Sequence, residues 1–212
     1  MKLSGSILSS KYSAKEAINV YDKTDIDYIH IDVMDGKFVE SKTYTIGDII
    51  KFSKLTNKPF DVHLMVNNPD KYIDDLSILN VNNITFHLEA TKKPLEVIEH
   101  IKNNGIKVGM AISPETNVKE LLDYLPYLDY ALVMTVTPGA SGQKFMESML
   151  YKVEILKKTI EEKGFKTLVY VDGGVNEENL PLLKEKDIDM VVSSNYFLSG
   201  NTKEIINNLK KD

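Results

Sequence analysis

Tyr130-Ala131-Leu132-Val133-Met134 is an apolar run with no polar face, and it runs straight into Thr135-Val136-Thr137-Pro138-Gly139. The run is too short for a buried helix and is closed by turn residues, so it reads as a strand. A strand without alternation suits a parallel sheet that is covered on both faces. Similar runs lie near Lys2–Leu8, Tyr28–Val33, Phe60–Met65, Asn83–His87, Lys107–Ile112, Thr167–Val171 and Met190–Ser193, and the central run extends over Tyr130–Val136. Between them the apolar residues fall at helical spacing, most clearly in Lys15–Tyr21, Lys93–Asn103, Val118–Tyr124, Glu147–Glu162 and Glu177–Lys186, with Lys203–Lys210 closing the chain. Eight strands, each followed by a helical stretch, are repeated βα units. The fold class expected is α/β, a (β/α)8 TIM barrel formed as a single domain by residues 1–212. A doubly wound open sheet is disfavoured, because no Gly-x-Gly-x-x-Gly turn follows the first strand.

Composition narrows what such a barrel could do. The chain has 212 residues, is 42% hydrophobic and has a formal net charge of −5. No face for nucleic acid stands out. Cysteine is absent, which excludes disulfides, thiolate metal sites and a cysteine nucleophile. Arginine is absent too, so a phosphate could be gripped only by backbone N–H groups, lysines or hydroxyls. No apolar run reaches membrane-spanning length, and Met1-Lys2-Leu3-Ser4-Gly5 is not a signal peptide, so a cytoplasmic location is expected.

Several strands carry polar groups where a barrel should be apolar. In Tyr28-Ile29-His30-Ile31-Asp32-Val33-Met34-Asp35-Gly36, alternation places His30, Asp32 and Met34 on one face and Ile29, Ile31 and Val33 on the other. Asp61, His63 and Met65 share a face of Phe60–Met65, Asp172 ends the strand before Gly173-Gly174, and Ser6 lies near the tip of the first strand. Two imidazoles and two carboxylates, His30, Asp32, His63 and Asp172, therefore point into one interior. Burying them singly would cost several kcal/mol each. One divalent cation, Zn, Fe(II), Mn or Co, bound by all four removes that cost and leaves positions open for a substrate. His87 also ends a strand and reads equally as a neighbour of this set or as a structural residue. His100 sits in a helical stretch beside Glu99 and reads as surface. Met34, Met65 and Met134 read as core filler or as a soft, dry cover over a planar intermediate.

Small residues follow the last three strands: Gly139-Ala140-Ser141-Gly142, then Gly173-Gly174, then Ser193-Ser194-Asn195. Their N–H groups can converge on an anion at the usual phosphate position of a barrel.

Taken in order and at their spacing, several segments resemble the ribulose-phosphate 3-epimerase family over nearly the whole chain. They are Ser6-Ile7-Leu8-Ser9, His30–Gly36, Asp61–Val66, Thr85–Ala90, Met134-Thr135-Val136, Gly142–Phe145 and Val171–Val175. The resemblance implies a ribulose-phosphate-binding barrel in which His30, Asp32, His63 and Asp172 hold the metal and Asp32 and Asp172 are the catalytic acid/base pair. It also implies that Ser6 and His63 contact the substrate, and that Gly139, Ala140, Ser141, Gly142, Gly173, Gly174, Val175, Ser194 and Asn195 grip its phosphate. The family's Gly-Phe-Gly-Gly loop is replaced by Gly139-Ala140-Ser141-Gly142 and its Gly-Ser pair by Ser194-Asn195, and the segment after Phe38 runs about two residues longer.

The activity this implies is isomerisation: metal-dependent epimerisation at C3 of a ketose phosphate, interconverting D-ribulose 5-phosphate and D-xylulose 5-phosphate of the pentose phosphate pathway. One Asp removes the C3 proton, an enediolate forms, and the other Asp returns a proton to the opposite face. Met34, Met65 and Met134 would shield the planar intermediate. A sugar phosphate is thus the expected partner, with no nucleic acid or membrane, in a homo-oligomer. The rivals are a D-allulose-6-phosphate 3-epimerase and a barrel that binds sugar phosphate without turnover. A related decarboxylase or aldolase is disfavoured, because Asp61–Val66 lacks the Asp-x-Lys-x-x-Asp pattern.

Overall fold

A computed structural model describes residues 1–211. Eight parallel strands close into a barrel in sequence order: β1 (Lys2–Ser6), β2 (Tyr28–Met34), β3 (Phe60–Met65), β4 (Val81–His87), β5 (Lys107–Ile112), β6 (Tyr130–Met134), β7 (Leu168–Asp172) and β8 (Met190–Ser193). The helices between them are α1 (Ala14–Tyr21), α2 (Ile46–Phe52), α3 (Asp70–Ser77), α4 (Pro94–Asn103), α5 (Lys119–Leu122), α6 (Leu150–Lys163), α7 (Leu180–Glu185) and α8 (Thr202–Lys211).

Some boundaries differ from those read in the sequence. β1 ends at Ser6 and β6 at Met134, short of Leu8 and Val136. One more ladder bond follows each end, from the Ile7 N–H to the His30 carbonyl and from the Thr135 N–H to that of Asp172, before the chain turns to the mouth at Leu8 and Val136. The Val118–Tyr124 stretch holds only a short helix and is followed by a 3-10 turn, Leu125–Tyr127, that contains Pro126. Proline has no N–H to continue the ladder. α2 and α3 are short, seven and eight residues, and three of the eight in α3 are aspartates. α2 nevertheless carries a start signal: the Thr45 hydroxyl accepts the Asp48 N–H while the Asp48 carboxylate accepts the Thr45 N–H.

The outer core lies between sheet and helices and takes the apolar half of each strand, such as Ile29, Ile31 and Val33 of β2. A second, smaller cluster fills the barrel interior with Tyr28, Ala111, Tyr130, Leu132, Met134, Tyr170 and Met190. Tyr130 and Tyr170 stack there at 4.2 Å, and the Tyr130 hydroxyl pairs with Thr85 Oγ1 at 2.8 Å. Gly109, the β5 neighbour of Tyr130 in register, makes room for that ring.

The floor of the barrel is fastened by a repeated device. Asp27, Asp129 and Asp189 each stand one residue before an even-numbered strand. Each accepts a backbone N–H from the preceding strand: Leu3 at 2.8 Å, Val108 at 2.8 Å and Val169 at 2.7 Å. These bonds fix register at the end opposite the polar cluster.

Candidate metal centre and phosphate cradle

Register builds the polar cluster. Asp32 of β2 is the direct partner of His63 on β3, and one layer higher Met34 is the partner of Met65. Met134 of β6 is the partner of Asp172 on β7. β2 and β7 are separated by β1 and β8, so the two carboxylates enter from well-separated strands.

His30, Asp32, His63 and Asp172 each bring one donor atom to a common point, all within 4.8 Å of one another. His30 Nε2 lies 3.3 Å from Asp32 Oδ1 and 3.6 Å from Asp172 Oδ2. His63 Nδ1 lies 3.5 and 3.3 Å from the same two oxygens. Both nitrogens are buried, and neither makes a hydrogen bond of acceptable geometry. Two orphaned imidazole nitrogens facing two carboxylate oxygens make a donor set that a cation would satisfy, because a buried polar atom is otherwise paired. The N2O2 donor set fits Zn, Fe(II), Mn or Co.

Electrostatics agree with this reading. Burial opposes a proton on His30, but the Asp32 and Asp61 carboxylates outweigh it and hold its pKa well above the ordinary imidazole value. Burial likewise opposes a proton on His63, and Asp172 and Asp32 raise its pKa. Burial would raise the Asp32 pKa, yet His30 and His63 pull it down. Positive charge is therefore favoured at this point, and a cation can supply it in place of protons.

The surroundings orient the donors. Ser6 Oγ donates to Asp32 Oδ2 at 2.9 Å, which leaves Oδ1 for the centre. His30 Nδ1 lies 2.8 Å from Asp61 Oδ2, and the same carboxylate accepts Ser4 Oγ at 2.7 Å and Asn83 Nδ2 at 3.3 Å. A carboxylate behind a ligating imidazole fixes its tautomer. Alternation in the sequence shows only that Asp61 shares a face with His63. The alternation Asn83-x-Thr85-x-His87, polar on every inward position of β4, was a signal for this network. His87 belongs beside the cluster: its Nε2 lies 2.9 Å from His63 Nε2. Burial lowers the His87 pKa to about 4. His100 lies on the outer surface, between Asp70 and Asp74.

Above the cluster opens a cavity of about 490 Å³. Ser6, Asp32, Asp172, Met34, Met65 and Met134 line its inner part, while His30 and His63 lie buried beneath it. Gly139–Gly142, Gly173–Val175 and Ser194-Asn195 all line its outer part. Gly173 and Gly174 have φ of +118° and +66°, and a Cβ on Gly174 would lie 2.5 Å from the Phe145 nitrogen, so the turn needs glycine. The replaced residues carry no such demand: Ala140, Ser141, Ser194 and Asn195 all have negative φ. The departures from the Gly-rich pattern therefore cost no backbone strain. Ser194, just past the end of β8, lines this part of the cavity, while its Oγ is buried and has no hydrogen-bond partner.

Among the described residues, no helix is long and apolar enough to cross a membrane. The ribulose-phosphate 3 epimerase family model matches residues 2–198. A ribulose-phosphate 3-epimerase of Treponema pallidum (strain Nichols) is 37% identical over 205 residues, covering 96% of this chain and 94% of the relative. One from Methanocaldococcus jannaschii is 38% identical over 214 residues, covering 100% of this chain and 90% of the relative. Among solved structures, KGPDC from Streptococcus mutans superposes with a TM-score of 0.71 at 14% identity, covering 99% of this chain and 95% of that one, which bears on the fold alone. A match that runs through all eight strands, over a barrel whose inward residues converge as described, places the chain in the ribulose-phosphate 3-epimerase family, as an isomerase.

Proposed function

We propose that the protein interconverts D-ribulose 5-phosphate and D-xylulose 5-phosphate, a step of the pentose phosphate pathway, with Asp32 and Asp172 as the proton-transfer pair. The observation that carries this reading is the convergence of His30 Nε2, His63 Nδ1, Asp32 Oδ1 and Asp172 Oδ2 at the foot of a cavity whose rim is made of small residues. His30, His63, Asp32 and Asp172 would hold one divalent cation. When bound, it supplies a Lewis acid for the negative charge that builds on the ketose oxygens as the C3 proton leaves.

The chain's own residues do the rest. Asp32 and Asp172 stand on strands separated around the barrel, so one can take a proton from one face of C3 while the other returns a proton to the opposite face. The enediolate between these transfers is planar and easily protonated by water. Met34, Met65 and Met134 surround its position with apolar, flexible side chains and keep water out. Ser6 holds Asp32 in place and offers its hydroxyl to the sugar. Gly139–Gly142, Gly173–Val175 and Ser194-Asn195 cradle the phosphate through backbone N–H groups, without any arginine.

The test is exchange between the two pentulose phosphates followed by NMR, with and without a chelator, for the unaltered protein and for Asp172→Asn. Metal-dependent exchange is expected, falling by at least about 10³-fold in Asp172→Asn while the fold is retained. Exchange that survives the chelator, or unchanged turnover in Asp172→Asn, would overturn the reading. Relative rates on five- and six-carbon ketose phosphates decide substrate length.

A further inference from the structure

A polar chain runs behind His63 that the proton transfer does not use. The His63 and His87 rings are nearly parallel, with centroids 5.0 Å apart and their Nε2 atoms 2.9 Å apart. His87 Nδ1 lies 3.2 Å from Glu89 Oε2, with Ser113 Oγ farther off at 3.5 Å. Glu89 Oε1 accepts the Ser113 N–H at 2.8 Å and the Thr116 hydroxyl. The far end is pinned by Lys152, fully buried on α6, whose Nζ donates to the carbonyls of Ser113, Pro114 and Thr116, each at 2.8 Å. Phe38 covers the His87 ring from the β2–α2 loop at 4.8 Å. Both imidazoles are 0% exposed, so water does not take the place of any of these partners.

Such a chain has a direction. Only one proton fits between two imidazole nitrogens. The Ser113 backbone N–H is a donor that cannot reverse, and an ionised carboxylate can only accept, so Glu89 accepts at both ends. His87 must then carry its proton on Nδ1 and present a lone pair at Nε2. His63 donates from Nε2, and its Nδ1 lone pair is left facing the Asp32 and Asp172 oxygens. We propose that Glu89 and His87 are positioning residues, a directed hydrogen-bond relay that fixes the ligating tautomer of His63 and so sets the cation affinity of the centre. The proposal rests on the metal-centre reading above and adds to it a control point outside the donor set.

Two substitutions at Glu89 separate polarity from structure. In Glu89→Gln the amide oxygen stays on the Ser113 N–H, so the amide NH2 faces His87 Nδ1. A donor there reverses every bond and places a proton on His63 Nδ1. In Glu89→Ala nothing opposes the original order, because Ser113 Oγ can still accept from His87 Nδ1. The gentler-looking change should therefore do more harm. The assay is titration with Co(II), read from its visible absorption and by competition with a chelator, with metal-free thermal unfolding measured alongside. Glu89→Gln is expected to weaken Co(II) binding by about 10- to 100-fold, and Glu89→Ala by only a few-fold. A merely structural role predicts the opposite order, since Ala also removes the Ser113 and Thr116 contacts. A second pair covers failure to fold: His87→Gln, whose amide oxygen can accept from His63 Nε2, should keep Co(II) binding, and His87→Leu should lose it by about 10-fold or more. Equal affinity within both pairs, or Glu89→Ala binding more weakly than Glu89→Gln, overturns the relay. Absence of Co(II) binding in the unaltered protein would instead remove the metal centre itself, and the relay with it.

Discussion

Replacing Gly109 by alanine should destabilise the barrel strongly although it adds one methyl group. A Cβ at that position would lie 2.0 Å from Tyr130 Cε2 and 2.3 Å from Cζ, more than an ångström inside van der Waals contact. The Tyr130 ring has nowhere to retreat: it is 1% exposed, stacked on Tyr170 and tied through its hydroxyl to Thr85. Overpacking of this kind costs about 1–3 kcal/mol. Displacing the ring also loses about 1 kcal/mol of hydrogen bond and about 0.5–1.5 kcal/mol of aromatic stacking. Together these give about 3–5 kcal/mol, or a fall in Tm on the order of 10 °C for a chain of this size. The assay is thermal and urea unfolding followed by circular dichroism in excess chelator, so that metal linkage does not enter. In the double variant Gly109→Ala/Tyr130→Leu the clash is gone, so the alanine should add almost nothing to the cost of Tyr130→Leu alone. A Gly109→Ala Tm within about 2 °C of the unaltered protein, or strictly additive effects in the double variant, would refute the reasoning.

Two other perturbations test the frame. Lys152→Met removes a buried ammonium and leaves the carbonyls of Ser113, Pro114 and Thr116 without their donor; relief of the desolvated charge offsets part of the loss, and a net destabilisation of about 2 kcal/mol is expected as a lower urea midpoint. On the surface, His100 bridges Asp70 at 2.8 Å and Asp74 at 2.7 Å, and these hydrogen bonds raise its pKa against a smaller opposing effect of burial. A raised folded-state pKa means that this contribution is fully present below the unfolded value of about 6.5 and is lost as pH climbs through the folded value. The stability gap between the unaltered protein and His100→Asn should therefore be largest below about pH 6.5, within about 1 kcal/mol given the exposure of the pair, and should shrink as pH rises beyond that value; a gap that widens with pH contradicts the clasp.

The strands were legible because a parallel barrel buries both faces, so each strand announces itself as an apolar run, and β3, β5 and β8 fall on the residues expected. The donor set was legible for the complementary reason: His30, Asp32, His63 and Asp172 interrupt those runs on the inward side, where an uncompensated charge is costly. The partners of those groups were not legible. The bond between Asp61 and His30 joins adjacent strands, and the step from Glu89 to Thr116 joins loops 27 residues apart in sequence. Alternation tells which face a residue takes, but not which neighbour its second nitrogen meets. His87 stayed undecided for that reason, since its partners come from β3 and from the turn after β4. α2 and α3 were faint because each spans only about two turns, which leaves few apolar positions from which to read a period.

The aspartates at the two ends of the barrel are engaged in opposite ways. At the floor, Asp27, Asp129 and Asp189 satisfy amides of the chain itself, and Lys210 and Lys157 neutralise Asp27 and Asp189. Strand alignment is thereby settled by groups that no ligand ever meets. The rim can then vary its loops, Ala140-Ser141 and Ser194-Asn195 among them, while the staves beneath keep their places.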